Sequence, residues 1–153
     1  MIGITQFSDM TTEEFLSLQT YRPGVVSSGV TRSLDTGDLV PVSQLPEEVD
    51  WRTQGVITDV HNQGACGSCW AFATVAQVES YTALSGDGLV DLSVEQVTAC
   101  APNPLVCGGS GGCLGSVEQL GYNYIQLFGS ASDQSYPYTS GTGLVVNMSF
   151  SLA

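Results

Sequence analysis

Residues 63–70 read Gln63-Gly64-Ala65-Cys66-Gly67-Ser68-Cys69-Trp70, and the character of the chain changes within that octet. Up to Gly67 the residues are small and polar. From Ser68 onward an apolar run follows through Trp70, Ala71, Phe72, Val75, Val78 and Leu84. The pattern predicts a helix starting near Ser68, apolar on most sides and therefore central and buried. Ser85, Gly86 and Gly88 should stop it. Cys69 then sits in the first helical turn, where free backbone N–H groups and the macrodipole favour negative charge. A thiol attacks as its thiolate, so the position suits a nucleophile. Gln63, six residues earlier, carries an amide that can point at the same spot. Together with the Cys69 backbone N–H it would make a two-donor oxyanion hole for a tetrahedral intermediate. Losing one such donor typically raises a barrier by about 2.7–4 kcal/mol. Trp70 is expected to pack into the core and fix the helix start.

Other readings of the same residues stay open at this point. Cys69 could be an inert buried thiol and Gln63 an ordinary loop residue. Cys66-Gly67-Ser68-Cys69 is also a C-x-x-C at a helix start, a redox geometry, although Trp70 follows the second cysteine and no βαβ pattern surrounds it. Cys66, Cys69, Cys107 and Cys113 have an acceptable ligand count for zinc, with Cys107 and Cys113 spaced more widely than in a finger knuckle. With Cys100 the chain has five cysteines, an odd number, so at least one thiol is free or paired outside it.

Outward from the octet, Ser93 reads as an N-cap with Gln96 three residues later, opening a short helix that ends near Cys100. A third helix has Val117, Leu120, Tyr124, Leu127 and Phe128 at helical spacing and Gly129 as its C-cap. Between them lies Cys107-Gly108-Gly109-Ser110-Gly111-Gly112-Cys113, too rich in glycine for regular structure. No lysine follows it, so it is not a phosphate cradle. Residues 1–44 are polar and broken by proline and glycine, with one helix start at Thr11, which has Glu14 at the capping-box position. The cysteines and both tryptophans, Trp51 and Trp70, all fall in residues 45–143, and the last ten residues are apolar and uncharged.

The whole chain has 153 residues and a formal net charge of −12, with no lysine and only Arg22, Arg32 and Arg52 as cations. Such a balance argues against nucleic acid as a partner, since binding a phosphate backbone needs clustered cations. It argues equally against docking on an anionic membrane surface. At 42% hydrophobic residues the chain can bury a core. Met1 is followed by no signal-peptide pattern.

Five motifs in order carry a resemblance. The octet contains Cys-Gly-Ser-Cys-Trp, the local signature of papain and cathepsin cysteine proteases. Leu45-Pro46-Glu47-Glu48-Val49-Asp50-Trp51-Arg52 looks like the start of a mature enzyme of that family. Leu92-Ser93-Val94-Glu95-Gln96 with Cys100, then Gly112-Cys113-Leu114-Gly115, then Ser135-Tyr136-Pro137-Tyr138 follow in the family's order. Upstream, Gly3, Phe7 and Asp9 match the tail of its inhibitory pro-region, with Thr5 where Asn is usual. The resemblance spans about residues 3–142.

The resemblance implies an α+β papain-like fold of which only the mainly α-helical first domain is present. Residues 1–44 would be the tail of an inhibitory pro-segment, 45–143 the domain carrying the catalytic Cys69, and 144–153 a tail like nothing in the family. It implies a Cys66–Cys113 disulfide, which by closing about 47 residues should contribute around 4 kcal/mol. Cys100 would ordinarily pair downstream of Tyr138, where this chain has no cysteine; Cys107 is a candidate substitute. Gly67, Trp70 and Gly115 take substrate-contacting positions, with Ser116 in place of a second glycine. The implied activity is endopeptidase cleavage of peptides or proteins through an acyl-enzyme, with no metal and no cofactor. An oxidising or acidic compartment is implied, lysosomal, vacuolar or extracellular. Asn147-Met148-Ser149 is a glycosylation sequon in the tail.

A papain-type enzyme also needs a His base and an Asn to orient it, about 130–150 residues after the nucleophile, near or beyond residue 199. The sole histidine is His61, on the approach to the octet, and it reads as a solvated loop residue. The expectation is therefore a truncated member, inactive as these 153 residues. The alternative is a non-catalytic decoy or inhibitory partner of intact relatives. The exposed inter-domain face of a half-molecule should favour aggregation.

Overall fold

The computed structural model describes residues 8–18 and 40–142. Gly3, Thr5, Phe7 and the tail 144–153 with Asn147 lie outside the described residues. Among the described residues four α-helices form in order: α1 (Thr12–Leu18), α2 (Cys69–Leu84), α3 (Val94–Cys100) and α4 (Glu118–Phe128). None is long and apolar enough to cross a membrane. The β component among the described residues is two isolated bridges, Gly67 with Leu114 and Leu92 with Ser132. This is the mainly helical domain that the motifs imply.

The helix boundaries follow the capping chemistry. The box at α1 closes both ways, Thr11 N donating to Glu14 Oε2 (2.8 Å) and Glu14 N to Thr11 Oγ1 (3.2 Å). At α3 the Ser93 hydroxyl accepts from Gln96 N (3.0 Å), but the return bond of a capping box is replaced. The Gln96 amide instead donates to Tyr124 Oη and accepts from Ala131 N (2.7 Å). It thereby ties α3 to α4 and to the segment after it. Ser93 N finds Ala131 O (2.8 Å) instead.

The core is Trp70, Ala71 and Val75 of α2, Val94 and Val97 of α3, and Ala101, edged by Phe72, Leu92, Tyr124, Ile125 and Tyr138. The burial expected on most sides of α2 holds for one face only, Trp70, Ala71, Thr74, Val75 and Glu79. Phe72 and Val78 are half-buried and Leu84 is exposed, because α3 and α4 cover the helix from one side. The apolar stripe expected on α4 is only partly right, because Leu127 and Phe128 are 74% and 70% exposed. The inward line of α4 is Gly121, Tyr124 and Ile125. Gly121 decides this, since a Cβ there would come within 2.6 Å of Thr74 Oγ1 on α2. Close approach at one small residue fixes the rotation of the helix, and Leu127 then turns about a third of a turn away.

Two acids lie in this core. Glu79 of α2 is 2% exposed and accepts from Thr58 Oγ1 (2.6 Å) and Leu92 N (2.7 Å). Burial pushes its carboxyl above the ordinary range, and nearby Asp91 adds to the rise. Glu95 of α3, 3% exposed, accepts from the backbone N–H groups of Thr139 (2.9 Å) and Ser140 (3.0 Å) and from Ser140 Oγ (2.8 Å). Each carboxylate pins a loop that no helix supports.

Cys66 and Cys113 are joined in a disulfide. That bond removes two of the four ligands of the zinc reading, and no group of three potential metal ligands occurs among the described residues. It also removes the redox reading, because Cys66 bonds Cys113 rather than Cys69. Cys69, Cys100 and Cys107 are free thiols, so Cys107 does not pair with Cys100.

Candidate active site

The site is built at the N-terminus of α2 by two loops that approach it from different parts of the chain. Cys69 is the first helical residue and its thiol is exposed and free. Trp70, the next residue, is 1% exposed, and its indole Nε1 donates to Gly112 O (3.1 Å). One step along the helix therefore separates a solvent-facing thiol from a side chain locked in the core. Trp70 fixes the helix start, as expected, and also holds the glycine-rich loop.

Ser68 occupies the N-cap position but makes no side-chain cap bond. Its hydroxyl, wholly buried, lies 2.6 Å from Tyr138 Oη. Among the described residues the backbone N–H groups of Cys69 and Trp70 meet no acceptor. The helix thus presents open donors beside the exposed thiol. Gln63 stands on the approach loop with its Nε2 donating to Cys66 O (2.8 Å), so one of its two amide hydrogens is held against the turn before Cys69. Gly64 (φ +59°) permits the loop's shape, since a Cβ there would come within 2.3 Å of Gly141 O.

The facing wall is the glycine-rich loop. Gly67 N donates to Cys113 O (3.0 Å), and the Cys66–Cys113 disulfide lies beside that bond. At Gly109 (φ +148°) a side chain would strike Leu114 O at 2.1 Å. The Asn103 amide gathers the loop, donating to Cys107 O and Gly109 O (2.9 Å each) and to Ser116 Oγ (3.2 Å). Gly115 is buried, and its carbonyl accepts from Gly111 N (2.7 Å). Ser116 is 6% exposed and turned into the loop toward Asn103.

The structure brings Gln63, Cys66, Gly67, Cys69, Trp70 and Cys113 together around one helix end. His61 is an exposed loop residue, as expected, and it also has partners. Its Nε2 lies 3.4 Å from Asp91 Oδ1 and its ring centroid 6.3 Å from that of Phe72. These contacts help line a cleft of about 340 Å³ with Gln63, Phe72 and Glu79. Sequence reasoning missed Glu79, Glu95 and Asn103, because a single polar residue in an apolar or glycine-rich stretch carries no periodic signal.

Comparison with known proteins agrees with this geometry. Residues 45–149 match the family described as papain family cysteine protease. Ananain of Ananas comosus is 40% identical over 151 residues, covering 93% of this chain and 39% of that protein. A cathepsin L-like proteinase of Phaedon cochleariae is 37% identical, covering 90% of this chain and 40% of its own length. Among solved structures, recombinant stem bromelain precursor superposes with a TM-score of 0.67 at 38% identity, over 91% of this chain and 42% of that one. The chain therefore spans about two fifths of the length of the relatives it matches.

Proposed function

This chain belongs to the papain family of cysteine proteases, and from that membership we propose that it is the nucleophile-bearing part of a peptide hydrolase. Cys69 Sγ attacks the scissile carbonyl. An S–C bond forms, the C–N bond breaks, and the amine leaves with a proton. Water then hydrolyses the thioester. The Cys69 N–H and the Gln63 amide hold the oxyanion. Gly67 and Gly115 take the positions beside the substrate backbone, whereas Trp70, expected there too, has its side chain locked in the core and holds the helix start instead. The observation that carries the reading is the exposed thiol at the first position of a 16-residue helix whose leading N–H groups are open. Peptides or proteins are the substrates, residues 1–44 act as an intramolecular inhibitor, and the compartment is lysosomal, vacuolar or extracellular. Domain boundaries at 44/45 and 143/144 belong to the same proposal.

His61 faces Asp91, and these 153 residues hold no other histidine to accept the thiol proton. Activity then requires a His base, and an Asn to orient it, that these 153 residues do not supply. The test is hydrolysis of a fluorogenic dipeptide. The 153-residue chain should give none. Continued along its native transcript, the protein should cleave, and Cys69→Ala should abolish cleavage. Cys69-dependent turnover by the 153 residues alone would overturn the need for a further base. An inactive continued protein would overturn the protease reading, and nanomolar inhibition of an intact relative would then identify a decoy.

A further inference from the structure

A hydroxyl relay leads from the N-cap of α2 to the backbone of Gln63, and it passes through one residue about seventy positions later. Tyr138 Oη donates its single proton to Gln63 O (3.0 Å), so the 2.6 Å contact with Ser68 is a bond donated by the Ser68 hydroxyl. Serine at an N-cap ordinarily accepts from the second or third helical N–H, a bond worth about 1 kcal/mol. Here the side chain is turned away from that role. The two partners of the Tyr138 hydroxyl are thus Ser68, the residue before the nucleophile, and Gln63, the residue that supplies the second oxyanion donor.

Tyr138 is itself held on several sides. Its ring meets Phe72 edge-on at 4.9 Å. The two residues that follow it, Thr139 and Ser140, are pinned by the buried carboxylate of Glu95. Gly141 O accepts from Ala65 N (3.2 Å), and the backbones of Gly64 and Gly141 touch so closely that neither side has room for a Cβ at 64. A buried anchor on α3 thus sets the phenol, and the phenol sets both sides of the thiol.

We infer that Tyr138 is a positioning residue for the oxyanion site, its hydroxyl coupling Ser68 at the head of α2 to the Gln63 backbone. The inference rests on the assignment of Cys69 and Gln63 above. Tyr138→Phe leaves Gln63 O without this donor and frees Ser68 to cap its own helix, which loosens the Gln63 amide relative to Cys69. In a hydrogen-bonded chain each member polarises the next, so loss of the central hydroxyl affects both ends.

Equilibrium addition of a peptide aldehyde tests this on the 153-residue chain, with no catalytic histidine required. An acetylated dipeptide aldehyde labelled with ¹³C at the aldehyde carbon is followed by NMR. The thiol adds across the carbonyl: the S–C bond forms, the C=O π bond opens, and the thiol proton passes to the oxygen that occupies the oxyanion site. Tyr138→Phe should weaken the adduct about three- to tenfold, the net worth of one hydrogen bond. In a Gln63→Ala background the same change should have an effect below about twofold, because Tyr138 acts through Gln63. Ser68→Ala, which breaks the relay from its other end, should weaken the adduct in the same direction and add little to Tyr138→Phe. Unchanged affinity in Tyr138→Phe, or full additivity with Gln63→Ala, would overturn the inference. Absence of any Cys69 adduct in the unaltered chain would instead overturn the site assignment, and the inference with it.

Discussion

At the scale of single residues the sequence is most informative where chemistry is unusual and least where it is merely buried. Cys69 and Gln63 stand out because a free thiol at a helix start and an amide one loop earlier lie within one short motif. Glu79 does not stand out, yet its carboxyl holds Thr58 and Leu92 to the middle of α2. Its burial, reinforced more weakly by Asp91, raises its proton affinity in the folded chain above the ordinary value of 4.5. Stability from that proton is complete below 4.5 and is lost as pH rises through the elevated folded value. Glu79→Gln keeps an acceptor for Leu92 N, while the Thr58 hydroxyl can turn to accept from the amide. Thermal melts at about pH 4 and about pH 7 should therefore show the variant gaining on the unaltered chain as pH rises. A constant difference between the two across that range would show that Glu79 ionises as freely when folded as when unfolded.

At the scale of elements, the helix starts and stops were legible and the helix rotations were not. Ser93 before α3, Gly129 after α4 and Thr11 before α1 act through local hydrogen bonds or backbone conformation, which short windows of sequence encode. The inward face of α4 depends on α2, distant in sequence, and on the single contact of Gly121 with Thr74. Thr74 cannot easily give way, because its hydroxyl bonds to Trp70 O (2.8 Å) and to Glu118 O (3.2 Å). Gly121→Ala should thus lower stability by about 1–2 kcal/mol, overpacking outweighing alanine's better helix propensity. The urea midpoint measures it, and Thr74→Ala in the same chain should recover most of the loss. If Gly121→Ala alone stabilises the protein, the helices are not in the close contact described here.

At the scale of the whole molecule, three helices share one small core, and the loops that form the site are held by bonds between distant segments. The disulfide closes 47 residues, so replacing Cys66 and Cys113 by serine should cost about 4 kcal/mol, read as a fall in the denaturant midpoint. A much smaller fall would mean that Trp70, Asn103 and the glycine contacts hold the loop unaided. The sequence by itself determined the family, the helix termini and the residues of the bridge, since each is written in a short motif or in one cap. It also determined that His61 is the sole histidine of these 153 residues. Only the tertiary structure decided that Ser68 gives up its cap for Tyr138, that Glu95 anchors the loop behind that phenol, and that α4 faces inward along Gly121. The physical reason is common to all three. A hydroxyl, a buried carboxylate or a missing Cβ has several acceptable local partners, and the choice among them is made by whichever distant group the packed core brings within bonding or contact distance.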